Sequence, residues 1–340
     1  MTILKARNVN GLLMPALRLI QAEGQPVSSR AGPVLTVPWP VMSVYERPRE
    51  RVLLHPLRHC NPFFHFFEAM WMLAGRNDVE YLEQFVPRMA TFAEDNGLLH
   101  GAYGYRWRKH YDFDQIDWAV KHLANDPSSR RCVINMWDPD ADNEPKNDLP
   151  CNTQLMFRVV GNALNMTVLN RSNDAIWGAY GANCVHFSFL QEFMACALEL
   201  EVGRMFQFTN NLHIYLENAA WKRFHTAYFP EAPDVYSEGL ERAPLIGEGC
   251  GGSGPQTRGE FMLREIKEFL YDPVAYEDRG SLSLLLSVGC KLWRLWHPEA
   301  PQIEGPLPQN DWFQGAAMMY TQDPHLLPRN QPTKTGETLN

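Results

Sequence analysis

Cys151 and Arg171 are spaced to do chemistry together. Residues 153–160 and 163–170 are two apolar, β-rich runs around Gly161-Asn162, a dipeptide suited to a two-residue turn, so the sequence predicts a buried β-hairpin. Cys151 enters it after Pro150, and Arg171-Ser172-Asn173-Asp174 leaves it. A hairpin brings its two open ends together, so thiol and guanidinium share one end. The thiolate is the reactive form of cysteine, and a fixed cation beside it lowers the thiol pKa. The pattern is a nucleophile next to an anion site. A cysteine taken alone is more often a small, inert core residue; the polar neighbours argue for chemistry here.

Further residues of the same chemical kind are spread along the chain. Residues 61–75 predict a helix with Pro62 at its start and Gly75 at its end. Glu68 is its only carboxylate, ringed by Phe63, Phe64, Phe66, Phe67, Met70, Trp71, Met72 and Leu73. Burial raises a carboxyl pKa and suits it to proton transfer near neutral pH, and a buried ion pair with an arginine is the alternative. Arg130 and Arg131 follow the turn at 125–129 and precede a β-like run at 132–137. Such arginines are usually solvated, but guanidinium forks also suit phosphate. Period two puts His213 and Tyr215 on one face at the end of a strand read over 206–215. Glycines and aromatics alternate over 101–108, yet no Lys-Ser or Lys-Thr follows to make a phosphate loop.

Pro150-Cys151, Arg171-Ser172-Asn173-Asp174, residues 178–183 and Asn211-Leu212-His213-Ile214-Tyr215, in that order, resemble the thymidylate synthase family, which includes the deoxypyrimidine monophosphate hydroxymethylases. The resemblance covers residues 28–216. It implies Cys151 as the nucleophile at pyrimidine C6, Glu68 as a water-organising glutamate, Tyr103 beside the site of proton removal and Arg171 holding the phosphate. Arg30, in an early loop, would close on the same phosphate, although its flanking residues are reduced to Ala31-Gly32-Pro33. Arg130 and Arg131 would reach it from the partner of a homodimer. Ser172 belongs to the substrate-binding set, His213 and Tyr215 match ligands of the deoxyribose hydroxyl, and Asn183 would read the base. An amide offers a donor and an acceptor, matching O4 and N3–H of uracil rather than cytosine. Residues 178–183 are one longer than the family's usual run. Asp174 matches a pterin-binding aspartate for the co-substrate 5,10-methylenetetrahydrofolate, and no metal is implied.

Met89 and Phe92 stand where synthases carry two tryptophans over the folate, and the chain ends in Lys334-Thr335-Gly336-Glu337-Thr338-Leu339-Asn340 rather than an apolar closing segment. Both changes favour water over hydride as the final reactant. The sequence therefore points to deoxyuridylate hydroxymethylation, with thymidylate synthesis and deoxycytidylate hydroxymethylation as alternatives. A Cys–His hydrolase using Cys151 and His213, or a non-catalytic nucleotide-binding protein, are rivals of other classes.

The 340 residues, 45% hydrophobic and 21% charged, suffice for one large core or two modest ones. A net charge of −8 argues against a general nucleic-acid surface, so an anionic substrate needs a local arginine cluster. Seven scattered cysteines without a CxxC pair suggest neither disulfides nor zinc and fit a reducing cytoplasm. The start of the chain lacks a secretory signal pattern, and no apolar run is long enough to span a bilayer. Long strands, an all-round apolar helix at 184–200 and further helices predict an α+β fold with a large mixed or antiparallel sheet; the resemblance implies a homodimer packed sheet to sheet. The expected divisions are an extension (1–27), a catalytic core (28–230) and a divergent C-terminal region (231–340) with a flexible loop at 247–254 and a tail from 309.

Overall fold

The computed structural model describes residues 1–245, 254–278, 284–301 and 307–322. Its strands are β1 (Thr2–Ala6), β2 (Gln25–Ser29), β3 (Gly32–Thr36), β4 (Val41–Tyr45), β5 (Val133–Asn135), β6 (Asn152–Val160), β7 (Ala163–Asn170), β8 (Asn173–Asp174), β9 (Glu201–Thr209) and β10 (Leu212–Tyr215). Six of them form a mixed sheet in the order β1-β4-β9-β7-β6-β5, and four form a smaller sheet, β2-β3-β10-β8. The helices are α1 (Val9–Glu23), α2 (Pro62–Leu73), α3 (Glu80–Glu83), α4 (Tyr103–Arg108), α5 (Gln115–Asn125), α6 (Asn183–Leu198), α7 (Ala219–Thr226), α8 (Pro255–Tyr271), α9 (Pro273–Asp278), α10 (Leu284–Trp296) and α11 (Asp311–Gln322). The expected α+β class is what the chain adopts.

β6 and β7 form the hairpin read from the sequence, closing at Val160↔Ala163 around Gly161-Asn162. Gly161 takes φ +61°, the left-handed region that a side chain disfavours and that a tight hairpin needs at its first central position. Strand alternation then divides the larger sheet into two faces. Leu155, Phe157, Leu164, Met166 and Val168 are buried towards the helices. On the other face, Ile3, Met42, Phe208 and Leu169 share one cross-strand row, and Val44, Phe206, Thr167, Met156 and Val133 share the next. Among the described residues most of that second set is only half-buried, which leaves an apolar face on the sheet.

Helix α6 is buried from Asn183 to Ala195, as its all-round apolar composition requires. Helix α2 is buried along its full length, with the Asn61 side chain accepting from Phe64 N–H at 2.9 Å and Pro62 at the first turn. Residues 1–27, expected as an extension, supply β1, which pairs in parallel with β4, and α1, whose Leu12, Leu13, Ala16, Leu17 and Ile20 are fully buried.

Several elements differ from the sequence reading. The amphipathic pattern over 78–95, with its helix break near Pro87, gives less helix than the sequence suggests: only α3 and a 3-10 turn at Pro87–Phe92, since Pro87 lacks the N–H and the room that a continuing helix needs. The single strand expected over 206–215 is two strands in different sheets. Asn210 N–H bonds to Asn170 O at 2.9 Å, and the chain turns there before β10. The loop at 27–34 is the β2–β3 hairpin, with Arg30-Ala31 at its tip. The tail from 309 begins with α11, which buries Trp312 and Phe313; residues 323–340, including the Lys334–Asn340 terminus, lie outside the described residues, as do 247–253.

Candidate active site

The open end of the β6–β7 hairpin carries the nucleophile. Arg171 N–H bonds to Cys151 O at 2.9 Å, which fixes the two residues side by side. The Arg171 guanidinium is held at the rim by Pro150 O at 3.0 Å and Leu149 O at 3.3 Å, and it lies 5.5 Å over the Trp137 ring. Arg171 pulls the Cys151 thiol pKa down, as expected, but burial outweighs it, and Asp148 and Asp174 add to the rise. The net shift is upward, opposite to the expectation from the cation alone. Desolvation penalises a thiolate wherever it is buried, so the resting nucleophile is the thiol.

Tyr103, at the start of α4, stands beside Cys151. Its phenol is pushed well above the ordinary range, first by burial and then by Cys151 and Asp148, and its ring stacks on Phe187 at 5.8 Å. Gly104 sets this position: a Cβ there would lie 2.0 Å from Met72 O, so α4 packs on the backbone of α2 in a way that only glycine permits. Asp148 accepts from Gly101 N–H at 3.1 Å, and its carboxyl pKa is raised by burial, with Glu68 adding to the rise. Glu68 is therefore within electrostatic reach of the residues around the thiol. Its own partner is His186 on α6, with Oε2 and Nε2 at 2.8 Å.

The base-reading position is built by an unusual turn. Residues Ala175–Ala182 form a π-helical turn, and Asn183 N–H bonds back five residues to Gly178 O. The extra residue seen in the sequence is absorbed there, as π-bulges do. Asn183 Nδ2 donates to Asn173 Oδ1 at 3.1 Å, which leaves its second amide hydrogen and Oδ1 for a ligand. Asp174 caps the turn by accepting from Trp177 N–H, while its other oxygen, Oδ2, is buried with no hydrogen bond. Its pKa is raised by burial against the opposing pull of those backbone bonds, His213 and Arg58.

His213 pairs with Asp174 across the β10–β8 register, and its Nδ1 lies 3.0 Å from Asn211 Oδ1. Tyr215 meets His213 edge-on at 5.4 Å, and its phenol is raised by burial, Asp174 and Cys151. Arg30, at the β2–β3 tip, donates to Lys146 O at 3.2 Å and is felt by Tyr215. Ser172 lies between Arg171 and the buried Asn173. The fold thus gathers Cys151, Arg171, Tyr103, Glu68, Ser172, Asp174, Asn183, His213, Tyr215 and Arg30 around one site.

Arg130 and Arg131 are not gathered. Val133 sits opposite Met156 in the antiparallel β5–β6 pair, five residues along β6 from Cys151, and Arg131 lies two residues further out. At about 3.3 Å per residue the separation is about 23 Å, beyond the reach of an arginine side chain. Met89 is packed into the core, and Phe92 is half-buried beside it.

Three residues at the site escaped the sequence reading. Asp148 is hidden at the end of an acidic loop, and His186 in a helix whose composition reads as core. Trp177 is 44% exposed next to Asp174, and an exposed tryptophan beside a motif carboxylate was the available signal. Among the described residues no cluster of His, Cys, Asp or Glu is arranged to hold a metal, and no helix is long and apolar enough to cross a membrane.

The family model for thymidylate synthase matches residues 18–226. A deoxyuridylate hydroxymethyltransferase of Pseudomonas phage M6 is 44% identical over 284 residues, covering 81% of this chain and 78% of that protein. Another of that name, from Bacillus phage SP01, is 32% identical over 273 residues, covering 76% and 70%. A third, from Delftia phage PhiW-14, is 31% identical over 180 residues, covering 49% of this chain and 50% of its own. With the matched segment enclosing the thiol, the glutamate helix, the asparagine turn and the His-x-Tyr strand, the chain belongs to the thymidylate synthase family.

Proposed function

We propose that the protein transfers a one-carbon unit from 5,10-methylenetetrahydrofolate to C5 of deoxyuridylate and completes the reaction with water, giving 5-hydroxymethyldeoxyuridylate. That it is a one-carbon transferase follows from its family. The substrate and outcome rest on one observation above all: the hairpin thiol, the rim guanidinium and the Asn183 amide face a single site whose wall holds Glu68.

Pyrimidine C5 is a poor nucleophile until C6 has been attacked. Cys151 adds its sulfur at C6, and the electron pair moves to C5 and O4. Asn183 Nδ2 donates to O4 and Oδ1 accepts from N3–H, a pattern that fits uracil and mismatches cytosine. Arg171 and Arg30 meet the phosphate with charge-assisted hydrogen bonds, and His213 and Tyr215 meet the sugar hydroxyl. Tyr103, with its phenol beside Cys151, stands where the C5 proton leaves.

The folate supplies the carbon at the methylene oxidation level. The residues present fit it: the unpartnered Asp174 Oδ2 is an acceptor for pterin N–H groups, and the exposed Trp177 ring offers a stacking face beside it. Phe92, in the position of a covering tryptophan, leaves the carbon less shielded, which favours water over hydride.

The reading includes a homodimer. The half-buried Phe206, Phe208, Met42 and Leu169 on the outer face of the large sheet suit a second copy of the same face. Arg130 and Arg131, too distant for their own thiol, would then serve the partner's phosphate. A working thiol also requires a reducing compartment.

The test supplies deoxyuridylate and methylenetetrahydrofolate to the purified protein and identifies the product by mass while following dihydrofolate. Hydroxymethylated nucleotide without dihydrofolate supports the reading. Thymidylate with stoichiometric dihydrofolate would make the protein a reductive methylase, and turnover of deoxycytidylate alone would overturn the base assignment.

A further inference from the structure

One pair in the wall of the site is not accounted for by holding substrate. Glu68 on α2 and His186 on α6 are 6% and 2% exposed, and they approach to 2.8 Å. Yet neither facing atom has a hydrogen bond aligned on it, and His186 Nδ1 is also buried without one. Buried polar groups in folded proteins are satisfied by protein, ordered water or ligand, so the unpartnered Nδ1 beside a misaligned Glu68–His186 pair marks a place where a small polar molecule is held. The fold itself does not require an imidazole there. Val185 and Phe187 on either side are buried apolar residues, and an apolar side chain would suit the same helix.

The location is specific. His186 lies three residues after Asn183 on α6, which places both on one helical face. Glu68 acts electrostatically on Asp148, three residues before Cys151. The pair therefore shares a helical face with the base-reading amide and acts on the surroundings of the nucleophile.

We propose that Glu68 and His186 together hold and deprotonate the water that ends the reaction, which makes His186 a catalytic residue specific to the hydroxymethyl outcome. The inference rests on the hydroxymethyl-transfer reading above. At that stage Cys151 sulfur is bonded to C6, and C5 carries an exocyclic methylene. The water oxygen forms a bond to the methylene carbon, the C5–methylene π pair shifts into the C5–C4–O4 system as an enolate, and the water proton passes to the Glu68–His186 pair. Collapse of the enolate re-forms the C5–C6 double bond and expels Cys151 as thiolate, which recovers the proton. No oxidant or reductant enters. Admission of water past Phe92 is then only half of the selectivity; the other half is a base placed to activate it.

The test uses His186→Asn and His186→Gln in the full chain, with thermal midpoints confirming that each folds. Deoxyuridylate labelled with tritium at C5 and methylenetetrahydrofolate are supplied with 2-mercaptoethanol as a competing nucleophile. Tritium release reports the earlier loss of the C5 proton, and the products report how the methylene is captured. The native protein should form one hydroxymethyl group per tritium released. In the variants tritium release should persist, while hydroxymethyl product per tritium falls about 100-fold, the scale of general-base catalysis, and the thioether takes its place. If one variant does not fold, the other carries the test. An unchanged product ratio, or an equal fall in tritium release and hydroxymethylation without thioether, overturns the proposal. Absence of tritium release from the native protein would instead overturn the deoxyuridylate reading, and this inference with it.

Discussion

The behaviour of Cys151 is a contest between burial and one guanidinium. Burial wins, so alkylation of the free protein by iodoacetamide should keep accelerating as pH rises past the ordinary thiol value of about 8.5. Removing a carboxylate that raises the thiol pKa has the opposite sign from removing the cation that lowers it. Asp148→Asn should move the alkylation profile to lower pH and Arg171→Ala to higher pH; profiles that coincide with the native one would show that neither group tunes the sulfur. Asn183 carries a second prediction at this scale. Asn183→Asp exchanges the pattern of donor and acceptor, so turnover should shift from deoxyuridylate towards deoxycytidylate, by about 1–3 kcal/mol in relative kcat/KM for a mispaired buried polar contact. Competition between the two nucleotides in one reaction measures it directly. Cys151, Arg171 and Asn183 stood out in the sequence because each belongs to a short motif at a strand or helix end. His186 did not, because a single imidazole in an apolar helix has the same pattern as a structural histidine. Asp148 was masked by the acidic loop that contains it.

Among the elements, those with one strong period could be read from the residues alone: the hairpin with Gly161 at its turn, α2 with its ring of phenylalanines, and α6. Elements set by tertiary pairing could not. Nothing local in residues 206–215 says that the strand breaks between sheets, since the break is fixed by Asn210 meeting Asn170 on another strand. The π turn was visible only as one residue too many. The α2–α4 contact is equally non-local, and it supports a stability prediction. Gly104→Ala drives a methyl group into Met72 O and should cost at least the 1–3 kcal/mol of an overpacked core, read as a lower denaturation midpoint. Turnover should fall with it, because Tyr103 and the Glu68 helix separate; unchanged midpoint and rate would mean that the helices shift apart without cost. The turn at Pro87–Phe92 bears on product choice. Met89 is packed in the core, so a tryptophan there would also strain the fold, whereas the half-buried Phe92 has room. Phe92→Trp should raise the ratio of methylated to hydroxymethylated nucleotide, and product masses from the variant decide it.

For the whole molecule, the geometry of one hairpin sets what a single chain can and cannot do. The thiol lies at one end of β6, and Arg130 and Arg131 lie near the other, about 23 Å away along the strand. Mixing Cys151→Ala chains with chains carrying Arg130→Ala and Arg131→Ala should therefore restore activity that neither has alone, to about one quarter of the native level for random pairing with equal chain amounts in a symmetric dimer. Failure of the mixture, with subunit exchange confirmed, would confine the phosphate contacts to one chain. The sequence carried the sheet-to-sheet pairing and this division of arginines only through its family resemblance, because strand periodicity alone looks the same whether the second face of a half-buried strand meets water or another protein. The arginine placement also has a consequence for the reaction order. If a chain cannot complete its own phosphate site, catalysis is bimolecular in polypeptide at low abundance. Specific activity should then decline on dilution along a dissociation curve, and newly made protein would stay silent until enough of it had accumulated to find itself.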